Sequence, residues 1–212
     1  MADRVDYAGL VRILKTVAEQ LKAQRDHLSK LDSATGDGDH GTAVSKVADA
    51  MSATIAKDAS QDIKTLLKDM GWAILATDAG STSPLYGSLF LGMSAGVTGT
   101  ALDVPAFVAM LESGVAKLRQ NTKAEVGNKT MIDTLVPALA AIRAAAAAGQ
   151  NLAQVLAAGA EAAVQGAETT TALKATFGRA KNLGERAMGH MDPGAASMSL
   201  VFVGMKEGYG NG

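Results

Sequence analysis

The chain has 212 residues, 48% hydrophobic and 19% charged, with 20 basic against 21 acidic side chains and no cysteine. That length suits one domain with a full core, and the balance is too apolar for a disordered chain. A net charge of -1 excludes the basic footprint of a nucleic-acid binder, and zero cysteine excludes disulfide frameworks and thiolate metal sites.

With 41 alanines, 23 glycines and 4% aromatic residues, the composition predicts closely spaced helices. Leu10, Ile13, Leu14, Val17, Leu21 and Leu28 recur at helical spacing, so residues 5–30 read as one long first helix. A polar turn follows, Asp32-Ser33-Ala34-Thr35-Gly36-Asp37-Gly38-Asp39-His40-Gly41. A second helix is expected over about 42–57 and a third from Asp58 or Ser60 to Ala76. Asp78-Ala79-Gly80-Ser81-Thr82-Ser83 is a second polar loop, with Pro84 expected at the first position of a fourth helix running to about Val97.

A fifth helix spans about 103–121, and a sixth spans 130–148 around an internal Pro137. A seventh spans 152–172. A glycine-containing loop covers 176–193, and an eighth helix covers 195–206, with 208–212 frayed. No segment reads convincingly as a strand. The expectation is all-α: a single domain over 1–212, an antiparallel eight-helix bundle or barrel. No stretch approaches the ~20 apolar residues of a membrane span, and residues 1–12 are too polar for a secretory signal. Cytoplasm is the expected location.

In such a bundle the second, fourth, sixth and eighth helices run the same way, and a polar loop leads into each. Their N-termini gather at one end, where the helix dipoles favour an anion. Asp32, Asp37 and Asp39 fall at that end. Three carboxylates within eight residues repel one another unless a cation sits among them, and Mg²⁺ takes hard oxygen ligands of this kind. The alternative is an ordinary turn with helix-capping aspartates. The run from Gly36 to Gly41 matches a dinucleotide fingerprint in letters only, since a helix precedes it. An EF-hand reading fails because Ala48 stands where a bidentate Glu belongs. Gly80-Ser81-Thr82-Ser83 reads as a phosphate cradle or a plain cap. Arg179 and Arg186 supply cations, for phosphoryl charge or for Glu185. His40 and His190, taken singly, read as structural.

Several blocks together resemble a known family: Asp32 with Asp37-Gly38-Asp39-His40-Gly41, Pro84-Leu85-Tyr86-Gly87, Gly127-Asn128-Lys129-Thr130-Met131-Ile132-Asp133, Gly178-Arg179-Ala180 with Leu183-Gly184-Glu185-Arg186, and Gly189-His190-Met191-Asp192-Pro193-Gly194-Ala195. In order and spacing they are similar to the nucleotide-binding L subunit of dihydroxyacetone kinase. The resemblance implies an eight-helix barrel with a nucleotide, ATP or ADP, at one end. It implies two Mg²⁺ ions held by Asp32, Asp37 and Asp39, and a nucleotide lined by His40, Gly41, Ser81, Thr82, Met131, Arg179, Asp192, Pro193 and Gly194. It also implies a separate K-type subunit that holds the ketose, since the chain begins almost at its first helix.

The phosphoryl donor is then ATP, or a phosphotransferase-system protein that recharges captive ADP. A non-catalytic nucleotide sensor is the rival from another class, and a purely structural bundle is the plainest. The sequence departs from the family at Gly80-Ser81-Thr82-Ser83, where more glycine is usual, near Thr122, and at Asn128, which replaces an acidic residue.

Overall fold

The computed structural model describes residues 3–211. Among them are nine α-helices: α1 (Tyr7–Ala23), α2 (Arg25–Thr35), α3 (His40–Lys57), α4 (Ile63–Leu75), α5 (Thr82–Gly96), α6 (Val104–Arg119), α7 (Ile132–Ala147), α8 (Leu152–Thr169) and α9 (Pro193–Gly210). Short 3-10 turns cover Thr170–Ala172 and Arg179–Ala187. One buried apolar cluster takes residues from every α-helix.

The helices form a ring. Starting at α1, contacts run to α3, α4, α5, α6, α7, α8 and α9 in turn, and α9 packs back on α1. This is the expected eight-helix barrel, with α2 as an extra element beside α3 and α9. The ring is tight because glycine faces backbone at the helix crossings. A Cβ on Gly92 of α5 would sit 2.5 Å from the Ser113 carbonyl oxygen and 2.8 Å from the Gly114 Cα of α6. On α9, a Cβ at Gly204 would meet Val17 Cα at 2.8 Å, and one at Gly208 would meet Ile13 Cα at 2.6 Å.

Three local expectations change. The first helix divides at Gln24, which caps α1 with φ -95 and ψ 10. Beyond the break, Gly41, having no side chain, lets the first turn of α3 lie against the α2 backbone at Arg25 and Ser29. No proline or glycine marks the break in the sequence. A minimal antiparallel ladder also exists: β1 (Arg4–Val5) pairs with β2 (Leu102–Asp103), which pins the chain's start to the approach to α6. Two residues are too few to leave an alternating pattern. Finally, α5 starts at Thr82, so Pro84 sits in its first turn rather than at its first position.

The loop expected over 176–193 contains the 3-10 turns of Arg179–Ala187. Pro137 lies inside α7 without ending it. The frayed tail is largely helical instead, as α9 continues to Gly210, while Gly212 lies outside the described residues. No helix among the described residues is long and apolar enough to cross a membrane.

The α5–α6 approach makes a direct prediction. Gly92→Val forces a branched side chain into backbone and lowers unfolding stability by about 2–3 kcal/mol in chemical denaturation. Gly210→Ala, where the added Cβ meets nothing within 4 Å, changes it by about 1 kcal/mol or less.

Candidate functional site

Four helices, α3, α5, α7 and α9, begin at the same end of the ring, and their first residues surround a cavity of about 380 Å³. Its wall takes Asp39 and His40 from the start of α3, Ser81 and Thr82 from α5, Met131 and Ile132 from α7, and Pro193 and Gly194 from α9. Each helix start leaves backbone N–H groups without intrahelical acceptors, and four parallel dipoles aim their positive ends at one volume. Of the sequence-derived residues, Asp32, Asp37, Asp39, His40, Ser81, Thr82, Met131, Arg179, Asp192, Pro193 and Gly194 all line it. Gly41 does not. It is buried one residue behind His40, against α2.

Carboxylate oxygens of Asp32, Asp37 and Asp39 come within 4.8 Å of one another. Asp32 is buried at the end of α2, whereas Asp37 and Asp39 are exposed in the turn. One oxygen of Asp32 accepts the His40 backbone N–H at 3.1 Å, which ties the turn to the start of α3. Gly38 adopts φ +80, a left-handed conformation that folds the aspartates onto one side. Asp37 is ion-paired with Arg179. Arg179, and not Arg186, reaches the cavity, and its partner is Asp37 rather than Glu185. Hard oxygen donors gathered at the positive ends of helices, with one arginine among them, suit a divalent cation shared with an anionic ligand.

The floor of the cavity is a hydrogen-bonded frame. His40 Nε2 lies 2.9 Å from Ser197 Oγ, which also accepts the buried Tyr86 hydroxyl at 3.0 Å and donates to the Gly194 carbonyl. Burial lowers the His40 pKa, against the pull of the Asp32 carboxylate. Asp192 caps α9 by accepting the Ala195 N–H at 2.7 Å. Desolvation pushes its carboxyl up to about 7, although the Ala195 N–H and Lys129 pull it down. Asp133, buried in the first turn of α7, accepts from Gly127 and Thr130 backbone N–H groups and holds the 127–130 turn.

The altered loops are locally self-supporting. Ser83 Oγ accepts the Ala79 N–H at 3.1 Å and donates to the Thr77 carbonyl at 2.8 Å, so the 77–83 loop is braced by a side chain. Asn128 Oδ1 accepts the Glu125 N–H at 2.8 Å. Among the lining residues to which sequence reasoning gave no role are Phe177 and Lys129. Lys129 is 1% exposed and takes φ +61, a strained conformation for a lysine. Its ammonium donates to the Thr170 and His190 carbonyls. Burial lowers its pKa, while Asp192 and Asp133 support the charge. The only hint in the sequence was its place in the Gly127-Asn128-Lys129-Thr130 turn.

Known proteins resemble this chain in sequence and in fold. The DAK2 domain family matches residues 34–207. The PEP-dependent dihydroxyacetone kinase 1 ADP-binding subunit DhaL of Listeria innocua is 34% identical over 195 residues, covering 92% of this chain and 93% of that protein. The corresponding PEP-dependent ADP-binding subunit of Escherichia coli K12 is 30% identical over 193 residues, covering 91% and 92%. The crystal structure of the C. freundii dihydroxyacetone kinase in complex with AMP-PNP and Mg²⁺ superposes with a TM-score of 0.71 at 28% identity. That superposition covers 93% of this chain and 33% of the longer one.

The capping carboxylate gives a pH prediction. With Asp192 ionising near 4 when unfolded and about 7 when folded, the folded state holds the extra proton between those values. Its contribution to stability therefore falls as pH rises through that window. Asp192→Asn keeps an acceptor for the cap and removes the titration. The stability of wild type minus that of the variant, from metal-free thermal melts, decreases from pH 4 to pH 7.

Proposed function

The chain belongs to the DAK2 domain family, and from that premise we propose that residues 1–212 form one nucleotide-binding unit: the ADP-binding subunit of a dihydroxyacetone kinase, a phosphotransferase. The observation that carries this reading is the gathering of Asp32, Asp37 and Asp39 within 4.8 Å beside a cavity ringed by four helix N-termini. A structural bundle has no need of that arrangement, and a nucleotide sensor has no need of a metal-binding carboxylate cluster.

On this reading Asp32, Asp37 and Asp39 hold Mg²⁺, with room in the three carboxylates for two ions. The backbone at Ser81 and Gly194, both in the cavity wall, offers N–H groups to phosphate oxygens. Met131 and Phe177 provide an apolar wall for the base. Arg179, paired with Asp37 in the nucleotide-free chain, is released toward phosphate oxygens once a cation takes over that carboxylate. When bound, the metal–nucleotide supplies the phosphoryl group and offsets its charge.

The chain's own polar groups position rather than react. His40 is engaged with Ser197, and Asp192 caps α9. Deprotonation of the ketose hydroxyl then falls to a K-type partner that holds the substrate at the cavity mouth. A nucleophile in line with the phosphoryl group is all such a transfer requires of that partner.

Of the two phosphoryl sources, the recharged-ADP version is favoured. The relatives named PEP-dependent ADP-binding subunits are covered over more than nine-tenths of their own length. The structure with the triphosphate analogue is a chain of which only 33% is covered. ADP then stays bound as a cofactor, and a phosphotransferase-system protein rephosphorylates it.

Two measurements test this. Asp37→Asn abolishes Mg–ADP binding in calorimetry while leaving helical circular dichroism intact, and an unchanged dissociation constant would falsify the ligand assignment. Protein loaded with labelled ADP retains the label through many turnovers when a phosphoenolpyruvate-fed system is the donor. Rapid release into excess unlabelled ADP instead points to ATP as the exchanging donor.

A further inference from the structure

Residues 171–189 leave the barrel at the end of α8 and return just before α9. They pack little against the main core. Ala175, Ala180 and Ala187, with Leu183 beside them, form a small apolar cluster of their own. Outside that cluster Phe177 packs on the edge of the main core, the segment leans on α2, and Arg179 is ion-paired with Asp37. Yet the segment carries Phe177, Gly178, Arg179 and Ala180 into the cavity wall. Something must hold its two ends together.

Three backbone or capping bonds contribute. Gly189 N–H donates to the Thr171 carbonyl at 2.8 Å, Asp192 N–H to Thr170 Oγ1 at 2.9 Å, and Thr176 N–H to the Asn128 carbonyl at 3.3 Å. The tie that spans both ends is Lys129. Its ammonium bridges the carbonyls of Thr170 and His190, one at each end of the segment. This is a buried cation spent on two neutral acceptors, and the backbone takes a left-handed conformation to place it there. Charge-assisted bonds of this kind are stronger than the neutral backbone bonds around them. Asp133 and Asp192 lie near enough to favour the charged ammonium.

We propose that Lys129 is the latch of a flap formed by residues 171–189: its ammonium clamps the two ends of the flap so that Phe177 and Arg179 stay over the cavity, and it thereby sets how long a nucleotide resides there. Lys129 acts through the flap and is a positioning residue rather than a catalytic one. The residence-time half of the proposal rests on the nucleotide reading given above; the clamp itself does not.

The test uses Lys129→Met, which keeps the apolar stem and removes the ammonium, and Lys129→Gln, whose amide reaches one carbonyl. In the nucleotide-free chain, hydrogen exchange over 170–190 quickens by about tenfold or more in Lys129→Met. It quickens less in Lys129→Gln, and the exchange of α1, α4, α5 and α6 stays as in wild type. With a fluorescent ADP analogue and Mg²⁺, stopped flow shows the dissociation rate rising by about tenfold or more, with association within about threefold.

Unchanged exchange over 170–190 in both variants overturns the latch. So does exchange that rises equally throughout the barrel, or loss of helical circular dichroism in both, either of which makes Lys129 a general core support. Faster exchange with an unaltered dissociation rate overturns the residence-time claim. If wild type takes up no Mg–ADP at all, the nucleotide reading fails, while the exchange arm still decides the clamp.

Discussion

The closure of α9 onto α1 is the constraint from which the rest follows. A ring of helices closes only if its last member lies flush against its first, and Gly204 and Gly208 permit that by bringing α9 to within backbone contact of Val17 and Ile13. The same device recurs where Gly92 of α5 meets Gly114 of α6. Once neighbours in the closed ring run antiparallel, alternate helices share a direction. Four N-termini then point into one volume. The site is therefore a consequence of packing parity, and the alanine- and glycine-rich composition that allows the packing also creates the electrostatics.

That end carries two opposed charge patterns. The dipoles of α3, α5, α7 and α9 favour an anion, yet Asp32, Asp37 and Asp39 stand at the mouth as anions themselves. Each aspartate has a different local situation. Asp32 is tied to the His40 N–H, and Asp37 is paired with Arg179. Asp39 precedes α3 without a side-chain cap bond. On the proposed reading a metal-bound phosphate would reconcile the two patterns, the cation meeting the carboxylates and the phosphate oxygens the helix ends. Arg179 supplies a partial counter-charge from an exposed side chain, which is easier to displace than a buried lysine.

Much of this was legible in the sequence because its signals are short-range. The three aspartates lie within eight residues, at the end of α2 and in the turn after it, so their convergence needs only that turn and its glycines. The even-numbered helix starts follow from counting helices. The break at Gln24 was not legible, because no proline or glycine marks it and the close approach of Gly41 to the α2 backbone comes from seventeen positions later. Lys129 was invisible for the same reason: its two acceptors lie 41 and 61 positions away. Nothing in a turn read as Gly-Asn-Lys-Thr shows that its lysine points inward. The departures at Ser83 and Asn128 looked like lost glycine freedom and lost charge. In the structure each side chain makes hydrogen bonds that brace its own loop.

The division of labour within the cavity follows from what each polar side chain already holds. Tyr86, Ser197 and His40 form a chain that fixes the start of α3 against α9. Asp133 fixes the approach to α7, Asp192 the start of α9, and Ser83 the approach to α5. Every helix start that faces the cavity thus has a side chain devoted to holding its geometry. Groups committed in this way make good walls and poor acid–base catalysts, since reacting would require them to abandon a structural bond. A chain built so contributes most by presenting a rigid, charge-matched seat, and the chemistry proposed for it, in-line phosphoryl transfer, is the kind that positioning and electrostatics dominate.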